Sequence, residues 1–235
     1  MAEDPYTDPV TGVLLNKLGL GTAAELEAAE REITHAALIL LGESPVHPGY
    51  HLPHVCAIHR RIFGDIYDWA GQIRTVGIAK GSLFCLPQHI ETSAAEIFRA
   101  LRSENCLRDL DREAFVARLA YYLGEVNAVH PFREGNGRTQ RAFFEQLARD
   151  AGYTLAWQHL DAAQNIEASA AIMRGDAEPM RKMLDTLVSD GISPARRCRE
   201  LTDGHASIGT IRRADTITGA SRLKNGGSTN PNPAS

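Results

Sequence analysis

The sequence predicts an all-α fold, a helical bundle that carries one small β-hairpin. Apolar residues recur at helical spacing in successive stretches between residues 22 and 188, and several of these stretches open on a capping residue. The stretch 72–86, by contrast, is rich in strand formers around a glycine turn. The chain has 235 residues, of which 43% are hydrophobic. This length and composition allow a substantial core within one domain.

The first two helices are predicted from their caps and apolar stripes. Thr22 and Glu25 form a capping box, which satisfies backbone donors at the start of a helix. The stripe that follows ends at Gly42 and consists of Leu26, Ala29, Ile33, Ala37 and Leu40. A second helix is predicted over residues 53–63, with Gly64 as its terminator.

Five further helices are predicted after the hairpin. They span residues 87–103, 111–129, 138–151, 161–174 and 176–188. Asp111 is the expected cap of the helix that leads to His130, with Phe115, Leu119, Tyr122, Leu123 and Val126 facing the core. The negative end of that helix dipole is expected to favour the imidazolium form of His130, and so to make it a stronger base.

Residues 72–86 predict the hairpin itself. Residues 72–76 have the composition of one strand, residues 80–82 form a turn signal, and residues 83–86 resemble a returning strand. An isolated two-stranded hairpin is marginal in water, so this one is expected to lie on the helical body with one edge open. An ordinary surface hairpin without a functional role is the alternative.

The composition of the chain changes near residue 191. Residues 1–191 are predicted to form the folded domain, including an N-terminal helical extension. Residues 192–235 are rich in Gly, Ser, Thr, Asn and Pro and are predicted to be a disordered polar and basic tail. This tail could serve as a secretion signal or bind an acidic partner, but a solvated tail is the simpler interpretation.

Charge, cysteine use and hydropathy exclude several classes of protein. A net charge of -4 and a pI near 6.1 leave no basic footprint for direct binding of bulk nucleic acid. The four cysteines lack paired spacing, which predicts reduced thiols in a cytoplasmic protein. Neither a signal segment nor an apolar run of about 18 residues is present, so no membrane span is expected. A zinc site is not expected either, because a second ligand pair is missing beside His51, His54, Cys56 and His59.

Residues 130–141, with the sequence HPFREGNGRTQR, are the strongest candidate for an active site. Gly135 and Gly137 lack Cβ atoms on either side of Asn136, so the backbone is expected to take positive φ and turn its amides inward as an anion nest. The next helix is expected to begin at Gly137 or Arg138, with its positive dipole end toward the same anion. This arrangement favours phosphate.

Charged and titratable side chains surround this nest. Arg138 and Arg141 lie three residues apart on one helix, so both guanidiniums can face phosphate oxygens. Glu134 places a hard carboxylate beside the nest, as in sites that hold Mg²⁺ on a polyphosphate. His130 can both accept and donate a proton near neutral pH. Each residue alone is more often structural, but together they indicate phosphoryl or nucleotidyl transfer from a metal-bound nucleotide.

These twelve residues resemble the Fic-domain signature, His-x-Phe-x-(Asp/Glu)-Gly-Asn-Gly-Arg-x-x-Arg, at every defining position. The resemblance extends through residues 4–9 (DPYTDP), 68–72 (DWAGQ) and 144–148 (FEQLA), and it covers residues 4–190. The sequence is most similar to the toxin branch of bacterial toxin-antitoxin pairs. The resemblance implies a Fic-type helical bundle with a hairpin flap. It also implies AMPylation, the transfer of AMP from ATP to a protein hydroxyl with pyrophosphate as leaving group.

The same resemblance implies a role for each motif position. His130 would deprotonate the target hydroxyl, and Glu134 would hold Mg²⁺ against the α- and β-phosphates of ATP. The phosphates would be bound by Gly135, Asn136, Gly137, Arg138 and, at the γ-phosphate, Arg141.

Gly137 also bears on which group is transferred. The kinase-like branch of the family carries Lys at this position and binds ATP in the reversed direction. The resemblance therefore implies AMP transfer rather than phosphate transfer for this chain.

The resemblance implies that the flap is the docking site for the target protein. In Fic proteins the flap pairs its backbone with an extended segment of the target, which brings the modified hydroxyl beside the base. The residues expected to dock the target here are Thr75, Val76, Gly77, Ile78, Leu83 and Phe84.

Inhibition is expected to come from a separate protein. Fic proteins are inhibited by a helix with the pattern Ser/Thr-x-x-x-Glu-Gly/Asn, whose Glu pairs with the second motif arginine. This sequence lacks the pattern, and residues 186–191 approach it only with Asp190 in place of Glu. The resemblance therefore implies a small antitoxin that supplies a glutamate to Arg141.

The target and the transferred group are the least specified features. Similar toxins modify gyrase and topoisomerase IV, so these enzymes are the first candidate targets. Two other functions stay open, namely transfer of another group such as UMP or phosphocholine, and a non-catalytic module that binds nucleotide. A non-catalytic module would usually have lost the motif His or an Arg, and none is lost here.

Overall fold

A computed structural model describes residues 4–191 of the chain, and the predicted tail 192–235 lies outside the described residues. Helices dominate this part of the chain, which confirms the all-α prediction. The helices are α1 (Ala23–Glu43), α2 (Leu52–Phe63), α3 (Ile90–Ser103), α4 (Arg112–Val129), α5 (Asn136–Ala151), α6 (Ala162–Met173) and α7 (Glu178–Leu187). Short 3₁₀ turns at Pro87–His89, Asn105–Leu107 and Trp157–His159 lie in the connections.

Helix α4 lies at the centre of the core and leads directly to the motif. It packs against α3, α5, α6 and α7. Asp111 caps it, accepting a hydrogen bond from the amide of Ala114 at 2.8 Å. All the residues predicted to face inward are buried, namely Phe115, Leu119, Tyr122, Leu123 and Val126. The helix ends at Val129, so His130 is its C-cap.

Helix α1 begins as predicted, and its buried face matches the predicted stripe in part: Leu26 is buried, and Ala29, Ile33 and Ala37 are half-buried. The hydroxyl of Thr22 accepts from the amide of Glu25 at 3.3 Å, as expected of the cap. Leu40, predicted to face inward, is 55% exposed. The buried face also contains the polar residues Glu30 and Thr34, because both contact the motif arginine Arg138 on α5. Apolar periodicity alone could not identify these two polar positions.

Helix α5 begins at Asn136, one or two residues earlier than predicted, and ends at Gly152 as expected. Gly135 is its N-cap and takes a left-handed φ of 79°. This conformation, which is costly for residues with a Cβ atom, turns the chain into the helix immediately after the motif loop. The first turn of α5 is therefore built from the motif itself.

The predicted hairpin is present but short. Strand β1 (Ala79–Lys80) pairs antiparallel with β2 (Ser82–Leu83) around Gly81. The predicted strand over residues 72–76 is wrong. That segment is irregular because it is bonded to the motif loop, with the amide of Arg74 donating to the carbonyl of Pro131 at 2.9 Å.

A second small sheet was not predicted from the sequence. Strand β3 (Tyr153–Leu155) pairs antiparallel with β4 (Val188–Asp190) and joins the end of α5 to the end of α7. Asp190, the residue that approaches the inhibitory pattern, thus lies on a paired strand and not on a helix.

Two further findings concern membrane-spanning helices and cysteines. Between residues 4 and 191 no helix combines the length and the apolar character needed to cross a membrane. Cys56, Cys85 and Cys106 carry free thiols.

Candidate active site

A cavity of about 560 Å³ lies where the flap, the motif loop and two helices meet. The flap contributes Lys80, Gly81 and Phe84, and the end of α4 contributes Asn127 and His130. The α6 region forms a further wall of the cavity, with Asn165, Ile166, Ser169, Ala170, Met173 and Arg174. The structure also brings the predicted nucleotide and metal residues to this cavity, namely Glu134, Gly135, Asn136, Gly137, Arg138 and Arg141. Its volume is that of a typical small-molecule site.

The floor of the cavity is the N-terminus of α5. The first hydrogen bond of this helix runs from the amide of Thr139 to the carbonyl of Gly135 at 3.1 Å. The amides of the preceding helical residues have no partner within the helix, and the positive end of the dipole lies beside them. A Cβ atom on Gly135 would lie 2.3 Å from Cζ of Phe63, so the close approach requires glycine. The geometry suits an anion such as phosphate.

Asn136 and Gly137 both line the cavity, as the phosphate-binding prediction requires. The Asn136 side chain is buried and closes the loop, because its Oδ1 accepts from the amide of Phe132 at 2.9 Å and its Nδ2 donates to the carbonyl of Phe132 at 2.7 Å. Asn136 can therefore serve a phosphate through its backbone, not its side chain. The prediction of a positive φ at Gly137 is wrong, because Gly137 is an ordinary residue of the first turn of α5.

His130 lies at the edge of the cavity in a left-handed conformation, with φ of 46°. Its Nδ1 lies 3.2 Å from the carbonyl of Asn127, which can only accept, so Nδ1 carries the proton. The other ring nitrogen, Nε2, is then the atom that can accept a proton. The ring stacks on that of Phe84, with centroids 3.8 Å apart.

The pKa of His130 moves in the direction opposite to expectation. Burial, with a further contribution from the charges of Arg74 and Lys80, lowers the pKa of His130 from 6.5 to about 4, although its hydrogen bond to Asn127 acts to raise it. The predicted stabilisation of the imidazolium by the helix dipole is wrong, because desolvation outweighs it. The imidazole is consequently neutral at physiological pH and ready to accept a proton.

Arg138 and Arg141 both reach the cavity, but their surroundings differ. Arg138 is held by Glu30, which it contacts in an ion pair, and by the hydroxyl of Thr34 at 3.2 Å. Its guanidinium also lies 4.8 Å from the ring centroid of Phe63. Among the described residues Arg141 pairs with no carboxylate. Arg141 is therefore the motif arginine that is more available to an incoming anion.

Glu134 is suited to hold Mg²⁺. Its side chain is 46% exposed and lies 3.6 Å from Arg138. Oε1 accepts from the amide of Gly135 at 2.8 Å, which leaves Oε2 available to a ligand. No group of three or more potential metal-binding side chains occurs within residues 4–191. A single carboxylate fits Mg²⁺ that takes its other ligands from phosphate and water.

Two of the histidines around α2 support the fold. His59 is fully buried, and its Nδ1 accepts from the amide of Gly71 at 2.8 Å. Its Nε2 then carries the proton and donates to the carbonyl of Glu134 at 3.0 Å. Gly71, from the DWAGQ segment, is thereby linked to the motif loop. His54 is buried against Tyr50 and Phe143.

We expect the free energy of unfolding to fall as the pH is lowered from 6.5 towards 4. Burial lowers the pKa of both His54 and His59 from 6.5 to about 4. Between these pH values both histidines are protonated in the unfolded chain but not in the folded chain, so protons favour the unfolded state. Each histidine should contribute at most about 3 kcal/mol to this loss. Urea unfolding at a series of pH values measures it.

A pair of histidine variants tests this explanation. His54→Phe should reduce the slope of stability against pH below 6.5, whereas the exposed His35→Gln on α1 should leave the slope unchanged. An equal slope in the wild type and His54→Phe would contradict it.

The flap residues divide into two groups. Thr75, Gly77 and Leu83 are exposed, while Val76 and Ile78 are half-buried. The amide of Thr75 is already bonded to the hydroxyl of Tyr6 at 3.0 Å. Phe84 is only 9% exposed because it stacks under His130. Its side chain therefore contacts the base, and the docking of a target on the backbone of this segment stays a prediction.

Several residues of the site were not identified from the sequence. Glu30 and Thr34 contact Arg138, and Arg74 contacts the backbone of the motif loop. The only available signal for Glu30 and Thr34 was their four-residue spacing after Leu26, which places all three on one face of α1. The α6 wall of the cavity carried no motif that could have identified it.

Comparison with protein families and curated proteins gives one consistent result. The model of the Fic/DOC family matches residues 50–148. The protein adenylyltransferase VbhT of Bartonella schoenbuchensis is 42% identical over 184 residues, which cover 78% of this chain and 38% of that protein. This chain thus spans about two fifths of that relative. The probable protein adenylyltransferase Fic of Salmonella typhimurium is 43% identical over 190 residues, covering 80% of this chain and 93% of that protein.

Solved structures agree on the fold. BepC of Bartonella tribocorum, determined with bound AMPPNP, superposes with a TM-score of 0.73 at 21% identity. The superposition covers 79% of this chain and 96% of that one.

Proposed function

Because this chain belongs to the Fic/DOC family, we propose that it transfers AMP from ATP to a hydroxyl side chain of another protein and releases pyrophosphate. One observation carries the proposal: a histidine with a free ring nitrogen lies on the same cavity as an unpaired helix N-terminus and an available arginine. Relatives with 42% and 43% identity bear the name protein adenylyltransferase, which supports AMP as the transferred group.

His130 acts as the general base in this mechanism. Nε2 accepts the proton of the target hydroxyl while the hydroxyl oxygen forms a bond to the α-phosphorus of ATP. The bond between the α-phosphorus and the oxygen bridging to the β-phosphate breaks, and pyrophosphate leaves with that electron pair. The neutral state of His130, favoured by its burial against Phe84, keeps the base unprotonated at physiological pH.

The phosphates occupy the N-terminal end of α5. The backbone amides of Asn136 and Gly137 donate to them, and Arg141 binds the γ-phosphate. Arg138 contributes positive charge from the position set by Glu30. Glu134 is the residue that would hold Mg²⁺, which would neutralise phosphate charge. The α6 residues that line the cavity are the remaining candidates to contact the nucleoside.

The target protein docks on the flap. Within residues 4–191 no third strand pairs with the sheet of β1 and β2, so an extended segment can add to one of its edges by backbone hydrogen bonds. Leu83, which is 61% exposed, offers an apolar contact on that surface. Docking there places a target hydroxyl next to His130, since the flap residue Phe84 touches its ring.

We further propose that the protein is a toxin restrained by a small antitoxin. Two observations support this: Arg141 pairs with no carboxylate within residues 4–191, and the inhibitory pattern is missing from the sequence. A glutamate from the antitoxin would occupy the place of the γ-phosphate on Arg141.

Expression of the chain alone in bacteria should then arrest growth. Normal growth with full activity in vitro would contradict the toxin role.

Labelled nucleotides test the proposed reaction. A bacterial lysate, and purified gyrase and topoisomerase IV subunits as the first candidate targets, are incubated with the chain and ATP labelled at the α- or the γ-phosphate. AMP transfer predicts protein-bound label from the α-position only. Label from the γ-position would indicate a kinase. No label from either, with transfer from UTP or a phosphocholine donor instead, would indicate another transferase, and no transfer from any donor a binding module.

A further inference from the structure

Arg74 is buried, with 1% of its surface exposed, and among the described residues its guanidinium contacts only carbonyl oxygens. Nε donates to His130 at 2.8 Å, and Nη1 donates to Val76 at 2.7 Å. Nη2 donates to Cys85 at 2.5 Å and to Val129 at 3.4 Å. A buried cation without a carboxylate partner is unusual, so its retention needs a physical explanation.

The end of α4 provides that explanation. The carbonyls of Val129 and His130 belong to the last turn of the helix and its cap, where carbonyls lack partners within the helix. The negative end of the helix dipole favours a cation at this position. The fork of five donors on a guanidinium can satisfy several carbonyls at once, which the single ammonium of lysine cannot do in the same geometry.

The partners of Arg74 come from the two halves of the catalytic arrangement. Val76 and Cys85 lie on either side of the flap hairpin, whereas Val129 and His130 belong to the catalytic turn. The amide of Cys85 donates to the carbonyl of Ala128 at 3.0 Å, which adds a backbone link between the same halves. One side chain thus fixes the flap, on which the target lies, against the residue that takes the proton.

We propose that Arg74 is a positioning residue for AMP transfer. It holds the flap and the left-handed turn at His130 in a fixed position relative to each other. The proposal rests on the proposed function. Arg74 is buried and is not one of the residues that line the cavity, and its guanidinium bonds to the backbone of both elements. Its effect is to set the distance between a hydroxyl docked on the flap and Nε2 of His130.

Arg74→Lys tests the proposal, since it keeps the charge and removes the fork. We expect kcat at saturating ATP to fall on the order of 10-fold to 100-fold, because small displacements of reacting groups have effects of this size. Affinity for a non-hydrolysable ATP analogue with Mg²⁺, measured by calorimetry, should change less than about threefold, because the α5 end of the cavity is untouched. Arg118→Lys is the matched control, since Arg118 is likewise held by several hydrogen bonds, to Glu104 and Tyr122, but lies away from the cavity.

Two results with this variant would overturn the proposal. One is unchanged kcat in Arg74→Lys, and the other is a parallel loss of kcat, nucleotide affinity and thermal stability, which would indicate a merely structural role. Failure of the proposed function is distinguishable, because the wild type itself would then leave no α-label on protein.

Native-state hydrogen exchange of the wild type tests the link between the two elements, to which the backbone bond from Cys85 to Ala128 also contributes. If Arg74 joins the two elements, the amides of Cys85 and His130 should open together and exchange within about tenfold of each other. Exchange of the Cys85 amide on the order of 100-fold faster would show a flap that moves independently of the base, and would overturn the proposal even if Arg74→Lys does not fold.

Discussion

Replacing His130 by alanine should lower kcat for AMP transfer on the order of 10²-fold or more, the usual effect of removing a general base. The imidazole is the group at this edge of the cavity with a free, unprotonated ring nitrogen. Affinity for an ATP analogue should change little, because the anion site is built from the start of α5. Transfer of α-label to the target measures the first quantity, and calorimetry measures the second.

His35→Ala is the matched control for this experiment, because His35 is an exposed histidine on α1. It should retain wild-type transfer. If His130→Ala also retained transfer within about threefold of the wild type, a general base at this position would be contradicted. A loss of nucleotide affinity equal to the loss of kcat would instead assign His130 to binding.

Gly135→Ala should damage both the fold and the nucleotide site. The left-handed φ of 79° is strained for alanine, and the new Cβ would lie 2.3 Å from the ring of Phe63. Strain and overpacking together should cost about 2 to 5 kcal/mol of folding free energy. For a domain of this size that corresponds to a fall in Tm of roughly 10 °C. Affinity for the ATP analogue should fall about tenfold or more, because the first turn of α5 is displaced.

Gly137→Ala is the stability control in the same loop. The nearest atom to its added Cβ is Nη1 of Arg141 at 3.4 Å, an ordinary contact, and its backbone is helical. Its stability should be unchanged or raised by up to about 1 kcal/mol, because alanine favours a helix. Equal stability of Gly135→Ala and Gly137→Ala would contradict the role assigned to the left-handed cap.

The features that the sequence predicted best are those set by local chemistry. Asp111 and Gly64 mark helix ends because caps and terminators act within one turn. His130, Gly135 and Arg141 line one cavity, as the motif predicted, because the segment that contains them is one turn followed by the start of one helix. These predictions needed no knowledge of distant residues.

The features that were missed depend on residues far apart in the chain. Glu30 contacts Arg138, but hydrophobic periodicity places a glutamate on the solvent side of a helix. The low pKa of His130 arises from burial by the flap, which outweighs the local dipole that the sequence indicated. Strands β3 and β4 are three residues long each, too short for an alternating pattern.

The orientation of ATP is the central claim, because it decides which phosphorus faces the base. A crystal structure of the chain with Mg²⁺ and a non-hydrolysable ATP analogue measures it directly. We expect the α-phosphorus on the side of His130 Nε2 and the γ-phosphate on Arg141. A γ-phosphate next to His130, or phosphates bound away from the start of α5, would contradict the mechanism.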